Sequence, residues 1–147
     1  MSSKKRFDLH QVLTYRTDVE KLKKQDFAAA RQELDAAADH LEKEKNKLEV
    51  MSQHFHEKQS AITSIDELRM YSDFFRRKKE NLKEQQENIE MLDRILEDRR
   101  EELILATQDK KVLEALKEKK DLAFRQQQNL KEREFMDEMS VQKKGRE

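Results

Sequence analysis

The chain of 147 residues contains no cysteine, no proline and no tryptophan, and its only glycine is Gly145. Without cysteine there is no disulfide and no thiol chemistry, which is typical of proteins in a reducing compartment. Sheets and barrels turn many corners, and glycine and proline are the residues that most often make those corners. Their near absence therefore argues strongly against a β-sheet fold.

Long apolar runs are also absent, since no stretch approaches the roughly 18 apolar residues that a membrane-spanning helix needs. We therefore expect no direct membrane insertion and no signal peptide. Lysine plus arginine number 32 and aspartate plus glutamate number 32, so the net charge is zero. General nucleic-acid binding needs an excess of positive charge, so the sequence predicts no nucleic-acid partner.

Charged residues make up 44% of the chain and apolar residues 35%. Alanine, glutamate, lysine, leucine and arginine together supply 78 of the 147 residues, or 53%. Combined with helical periodicity, such a share is typical of coiled coils and long helices. Opposite charges that interleave and cancel favour a solvated helix surface over a disordered chain.

Apolar residues recur every three or four positions from Phe27 to Phe55, and only Glu44 interrupts this heptad pattern. Upstream, the residues Val12, Tyr15, Val19 and Leu22 keep the same rhythm one residue out of phase. The pattern predicts one helix over about 7–58, with a slip of the seam between Leu22 and Phe27.

The segment 59–64 is the only plausible corner in the chain. It is followed by Ser64-Ile65-Asp66-Glu67, which has the spacing of a capping box at the start of a helix. We predict a second helix over about 65–140 and a frayed tail over 141–147. The whole chain is interpreted as a single all-α domain, a long antiparallel coiled-coil hairpin with a longer second helix.

A corner between Ala61 and Ile62 aligns apolar residues of the two predicted helices. The alignment places five apolar pairs and one ion pair opposite each other: Leu41–Leu82, Leu34–Ile89, Phe27–Leu96, Phe55–Leu68, Val19–Ile104 and Glu44–Lys79. It favours a monomeric hairpin, in which about 23 residues after Lys117 project past the N-terminus. A parallel dimer of one very long helix is the competing interpretation.

Nothing in the sequence predicts a catalytic or metal site. His54 and His56 are two apart, so they lie on different sides of a helix and cannot share a metal ion. No glycine-rich phosphate loop is present, and a two-helix rod offers no pocket for catalysis. We therefore expect no enzyme activity, no metal and no cofactor. The basic run 76–79 is followed by glutamates, which favours a solvated face.

Phe74 and Phe75 are adjacent, so on a helix their side chains point about 100° apart. One ring is expected in the seam and the other beside it. An exposed aromatic ring on a polar helix is a candidate partner contact. Core packing and partner binding stay equally open for this pair.

Several segments resemble the flagellar export protein FliJ family. Residues 7–16 read F-x-L-x-x-V-L-x-Y-R, similar to the start of that family, and residues 111–119 are similar to its K-x-L-E-x-L-K-E-K stretch. Tyr71 and Phe74 resemble its segment after the corner, and Asp137-Glu138 its late acidic pair. The resemblance covers essentially the whole chain.

The resemblance implies a component of the flagellar type III export apparatus, without enzyme activity, with a coiled coil similar to the γ subunit of rotary ATPases. It implies a stalk that binds the hexameric export ATPase, promotes its assembly or activity, and links it to the export gate, a membrane protein. Export chaperones are further implied partners. The implied location is cytoplasmic, with peripheral association with the export apparatus of the inner membrane.

The resemblance also implies two sets of contact residues. Tyr71 and Phe74 match the segment that contacts the export gate, although Lys78 and Asn81 on the same face are more polar than such a contact needs. By similarity to rotary shafts, the end with the two termini enters the ATPase ring, and its apolar residues are Phe7, Leu9, Val12, Leu13, Leu122, Phe124, Leu130 and Phe135. A generic coiled-coil scaffold or escort chaperone for secretion, and a dimeric zipper protein, remain the alternatives.

Overall fold

The computed structural model describes residues 2–62 and 64–145, with side chains from Leu9 onward. Helix α1 spans Ser2–Lys58, a short 3-10 helix spans Gln59–Ala61, and helix α2 spans Ile65–Gly145. No strand occurs among these residues. The two long helices pack against each other, which confirms the prediction of an all-α helical hairpin.

The corner is short because one tight turn closes α1. The N–H of Ile62 donates to the carbonyl of Gln59 (3.4 Å), and Ile62 itself has an extended backbone. On the other side, the N–H of Leu68 donates to the carbonyl of Ser64 (3.3 Å). Asp66 and Glu67 fall in the first turn of α2, where negative charge suits the helix dipole.

Both helices are longer than predicted from the sequence. Helix α1 begins at Ser2 instead of about residue 7, and α2 continues to Gly145 instead of about residue 140. Residues 141–145 contain no proline, and Lys143 and Lys144 lie in the last turn, where positive charge favours the helix dipole. The predicted tail is therefore helical over its described part, and residues 146–147 lie outside the described residues.

The chain divides into two compact units. Unit 1 comprises Met1–Lys21 and Ile104–Glu147, and unit 2 comprises Leu22–Leu103 with the corner. The interpretation of the chain as one domain stays a prediction, and the two units are treated separately below.

Unit 2 is an antiparallel pair of helices with a heptad seam. Its most buried side chains are Leu41, Leu92 and Leu96, which are 5–8% exposed. The half-buried positions follow the same spacing on both helices, among them Phe27, Ala30, Leu34, Ala37, Glu44, Leu48 and Phe55 on α1 and Tyr71, Phe75, Lys78, Leu82, Gln85 and Ile89 on α2. The sequence-predicted seam of α1 is thus the seam of the structure, except at Met51, which is 45% exposed.

One predicted pair in unit 2 is wrong in detail, and for a second the structure shows further contacts. Glu44 forms an ion pair with Lys78 (3.6 Å), not with Lys79. The seam of α2 passes through Lys78, so the next residue points about 100° away from α1. The ring of Phe55 packs on Tyr71 and Phe75, with centroid distances of 4.9 and 5.6 Å, whereas its predicted partner Leu68 is 39% exposed.

Unit 1 has a seam in which charged residues replace apolar ones. Glu20 is buried, and its carboxylate lies 3.3 Å from the ammonium of Lys110. The guanidinium of Arg16 lies 3.3 Å from the carboxylate of Asp109. Ala106 is the buried apolar residue of this unit.

The predicted slip of the seam upstream of Phe27 is wrong. Val12 is 43% exposed and Tyr15 is 62% exposed, while the heptad of α1 continues in phase through Arg16 and Glu20. The predicted partner of Val19, Ile104, is 49% exposed. In this structure the heptad phase of α1 is kept upstream of Phe27, and long charged side chains pack their aliphatic stems in the seam while their charged ends form pairs.

Candidate partner-binding surfaces

Tyr71 and Phe74, the predicted gate contacts, have different environments. Tyr71 packs on Phe55 at a tilt of 43°, so it belongs to the seam of unit 2. Phe74 is half-buried beside the seam, with its ring edge-on to Phe75 at 5.8 Å. The ammonium of Lys78 lies 5.9 Å from the Phe74 ring centroid, a distance at which cation–π attraction operates.

Phe75 packs in the seam of unit 2. Its ring contacts Phe55 across the seam, at 5.6 Å and an interplanar angle of 64°. The ring of Phe74 contacts Phe75 and Lys78 of its own helix. Partner binding by Phe74 stays a prediction.

The flank around Phe74 is a mixed apolar and basic surface, which we call the post-corner surface: Met70, Phe74, Arg77 and Asn81 of α2. These residues are spaced by four, three and four, so they share one face of the helix. Met70 is 72% exposed. The side chain of Arg77 donates to the backbone carbonyl of Asp73 (3.4 Å), which holds it along the helix.

The opposite flank of unit 2 carries an open groove of about 1060 Å³ that the sequence did not predict. Its apolar floor consists of Leu48, Phe55, Leu68, Phe75 and Leu82. The small side chains of Ser52 and Ser72 line it from the two helices and leave the floor uncovered. Two serines beside heptad positions of facing helices are the sequence signal that could have revealed it.

At the terminal end of unit 1, the eight predicted ring contacts have several different environments. Leu9 and Leu13 are half-buried in the seam, and Val12 lies beside it. The side chain of Phe7 lies outside the described residues. On α2, Leu122, Phe124, Leu130 and Phe135 are 49–62% exposed.

Among those of these residues whose side chains are described, one pair lines a common groove. Leu13 of α1 and Leu122 of α2 line the same shallow groove, of about 460 Å³, whose charged walls include Glu118 and Arg125. From Leu122 to Gly145 every residue of α2 is exposed. Leu130 and Phe135 are therefore presented by a single helix.

Further exposed apolar residues of unit 1 were not recognised as surface residues from the sequence. They are Tyr15 on α1 and Leu105, Val112 and Leu116 on α2, with exposed fractions between 42% and 67%. Each precedes a heptad position by one residue, and this offset is the signal that could have identified them.

The charged side chains of the two units form ion pairs. In unit 2 the ammonium of Lys23 donates to Glu102 at 3.2 Å, and this bond, aided by Arg99, lowers the pKa of the Glu102 carboxyl. No cluster of three or more metal-ligating side chains occurs among the described residues. Within the same residues, no helix is both long and apolar enough to span a bilayer.

A comparison with known protein families finds one match that covers almost the whole chain. The family described as Flagellar FliJ protein matches residues 4–147. No curated protein and no solved structure matches the sequence. The match confirms the resemblance carried by the N-terminal motif, and the family is a non-catalytic component of the flagellar protein export apparatus. The chain therefore belongs to the flagellar FliJ protein family.

Proposed function

We propose that this protein is a stalk of the flagellar export apparatus, which binds the export ATPase ring through unit 1 and the export gate through unit 2. In this role it lies in the cytoplasm, associated peripherally with the membrane-bound apparatus. The proposal depends chiefly on one observation: every residue from 125 to 145 of α2 is exposed, and this stretch nevertheless carries Leu130, Phe135 and other large apolar side chains.

Apolar side chains on an exposed helix favour a protein partner. Covering one leucine or phenylalanine contributes about 1.5–3 kcal/mol, so a few such residues are enough for specific binding. Leu130 and Phe135 are 58% and 62% exposed, and neither stabilises the isolated hairpin appreciably. The acidic and basic residues between them alternate, so apolar contact and not net charge determines binding here.

The ring contact is tested with the double variant Leu130→Gln/Phe135→Gln. We expect it to melt like the wild type, because both side chains are exposed, but to stimulate ATP hydrolysis by the purified export ATPase much less. The matched control is Asn129→Gln/Glu134→Gln, which changes two exposed neighbours without loss of apolar surface. Full stimulation by the first variant would refute the assignment of this helix to the ring.

The gate contact is proposed for the post-corner surface, with Phe74 at its centre. Its support is the ring beside the seam and the exposed Met70 four residues earlier, an arrangement that suits an apolar cleft on a partner. The basic side chains of Arg77 and Lys78 favour acidic groups around that cleft. Tyr71 contributes by packing on Phe55, and not by direct contact with the partner.

The gate proposal is tested by binding of the soluble domain of the gate protein to Phe74→Ala. We expect weaker binding by tenfold or more, about 1.4 kcal/mol. Ser72→Ala, on the other flank of α2, is the matched control and should bind like the wild type. Unchanged binding of Phe74→Ala would move the gate contact to another surface.

A role as an escort for export chaperones is the second candidate, and the groove at Ser52 and Ser72 favours it. Its apolar floor and serine walls could accept a helix from such a chaperone. The variant Ser72→Leu, which fills the groove, should then abolish chaperone binding and leave ATPase stimulation intact. Retained chaperone binding would remove this candidate.

A further inference from the structure

Unit 1 contains two heptad frames on each helix, one residue apart. The inner frame forms the observed seam and consists of Leu13, Arg16, Glu20, Ala106, Lys110 and Leu113. The outer frame lies one residue earlier than the seam positions and consists of Val12, Tyr15, Val19, Leu105, Val112 and Leu116. The frame in the seam is half charged, whereas the frame beside it is apolar or aromatic except at Asp109, which precedes Lys110, and its Val19 is already half-buried.

The burial of the two frames is the reverse of what side-chain polarity favours. Glu20 is 6% exposed, while Tyr15 is 62%, Leu105 is 60% and Val112 is 67% exposed. The Glu20–Lys110 and Arg16–Asp109 ion pairs, each at 3.3 Å, offset the cost of placing charges between the helices. A buried ion pair contributes little net stability compared with an apolar pair in the same place. The ion pairs of the observed seam therefore contribute little net stability to unit 1.

Helix geometry places the outer frames of α1 and α2 on the same side of the seam. One residue corresponds to about 100° of rotation around an α-helix. Because the helices run antiparallel, a one-residue offset in the same sequence direction places both outer frames on the same side of the pair. Turning the helices about their own axes in opposite senses, as two meshed gears turn, would bring both outer frames into the seam together.

We propose that unit 1 has a second packing state, in which the two helices have counter-rotated by one residue and the outer frame forms the seam. In this state Val12, Tyr15 and Val19 pack against the outer frame of α2, and the charged residues of the inner frame point into water. The observed state exposes an apolar surface and the second state hides it. Counter-rotation thus switches the surface that unit 1 offers to other proteins.

The side chain of Tyr15 reports on the state, since the chain has two tyrosines and no tryptophan. In a Tyr71→Phe background Tyr15 is the only fluorophore. The variant Glu20→Lys places two ammonium groups together at the Lys110 position and so disfavours the observed seam. We expect quenching of Tyr15 by acrylamide to fall by about threefold, as an exposed ring becomes a half-buried seam residue, with unchanged helicity by circular dichroism. Unchanged quenching at full helicity would overturn the proposal.

Two further variants keep the result interpretable. Glu134→Lys makes the same charge change at an exposed position of unit 1, and Tyr15 quenching should match the wild type. If Glu20→Lys unfolds the unit, helicity falls and quenching rises. In that case the quenching of Tyr15 is measured in the double variant Glu20→Gln/Lys110→Gln, which removes the ion pair without introducing repulsion. Protection of Tyr15 in this variant supports the second state, and an unprotected Tyr15 overturns it. No partner is present, so the outcome does not depend on the proposed stalk function.

Discussion

Truncation of the adjacent rings Phe75 and Phe74 should separate the hairpin's packing from its partner surface. Phe75→Ala removes a ring that contacts Phe55 across the seam and Phe74 on its own helix. Phe74→Ala removes a ring that contacts Phe75 and Lys78, both on its own helix. The two substitutions delete the same atoms, so any difference in stability reports on position alone.

The contacts of the two rings give the expected loss in the free energy of unfolding for each variant. Truncation of a fully buried phenylalanine costs about 3–5 kcal/mol, and Phe75 is half-buried, so we expect a loss of about 2–3 kcal/mol. Phe74 is also half-buried, but its ring contacts lie on its own helix: one edge-on ring contact, which is worth about 0.5–1.5 kcal/mol, and a solvated cation–π contact. We therefore expect a loss of about 1 kcal/mol for Phe74→Ala.

The assay is urea unfolding followed by circular dichroism. The dependence of the free energy of unfolding on urea concentration, the m-value, should be the same for all variants, so that their midpoints can be compared. A double-mutant cycle with Phe55→Ala sharpens the test. Phe55 and Phe75 should show a coupling energy of about 0.5–1.5 kcal/mol, whereas Phe55 and Phe74 should show almost none. Equal losses for the two alanine variants, or coupling of Phe55 to Phe74, would refute the assignment of the rings.

Further predictions concern unit 2. Leu41→Ala, at the most buried leucine, should lower the free energy of unfolding by about 3 kcal/mol, and Val50→Ala, at an exposed valine, by less than about 0.5 kcal/mol, both measured in urea. Glu102 has a lowered pKa because of Lys23, so its contribution is present above pH 4.5, its unperturbed pKa, and is lost as the pH falls through the lower folded value. The gap in melting temperature between wild type and Glu102→Gln should therefore close in acid. Ser72→Leu, which covers apolar floor in the groove, should raise stability by about 1 kcal/mol, and a loss would show that the groove is not open to a larger side chain.

The sequence by itself determined the architecture of the hairpin. A heptad from Phe27 to Phe55 requires a partner helix, because a lone apolar stripe is unstable in water. A single interruption near residue 60, followed by the capping-box pattern at Ser64, favours one place for the chain to reverse. The lack of proline and glycine argues against a β-sheet fold, and the N-terminal motif of residues 7–16 indicated the family.

Where two heptad frames fit the sequence equally well, only the tertiary structure decided which residues occupy the seam. Upstream of Lys21 the apolar frame with Tyr15 and the charged frame with Glu20 have the same heptad spacing, so periodicity favoured the apolar one. The choice depends on pairing across the helices, since the ammonium of Lys110 lies 3.3 Å from the Glu20 carboxylate and offsets the cost of burying it. The ion pair of Glu44 with Lys78, in place of Lys79, is likewise determined by the packing of the two helices. One residue of register moves a side chain by 100°, and only the packed pair of helices determines that register.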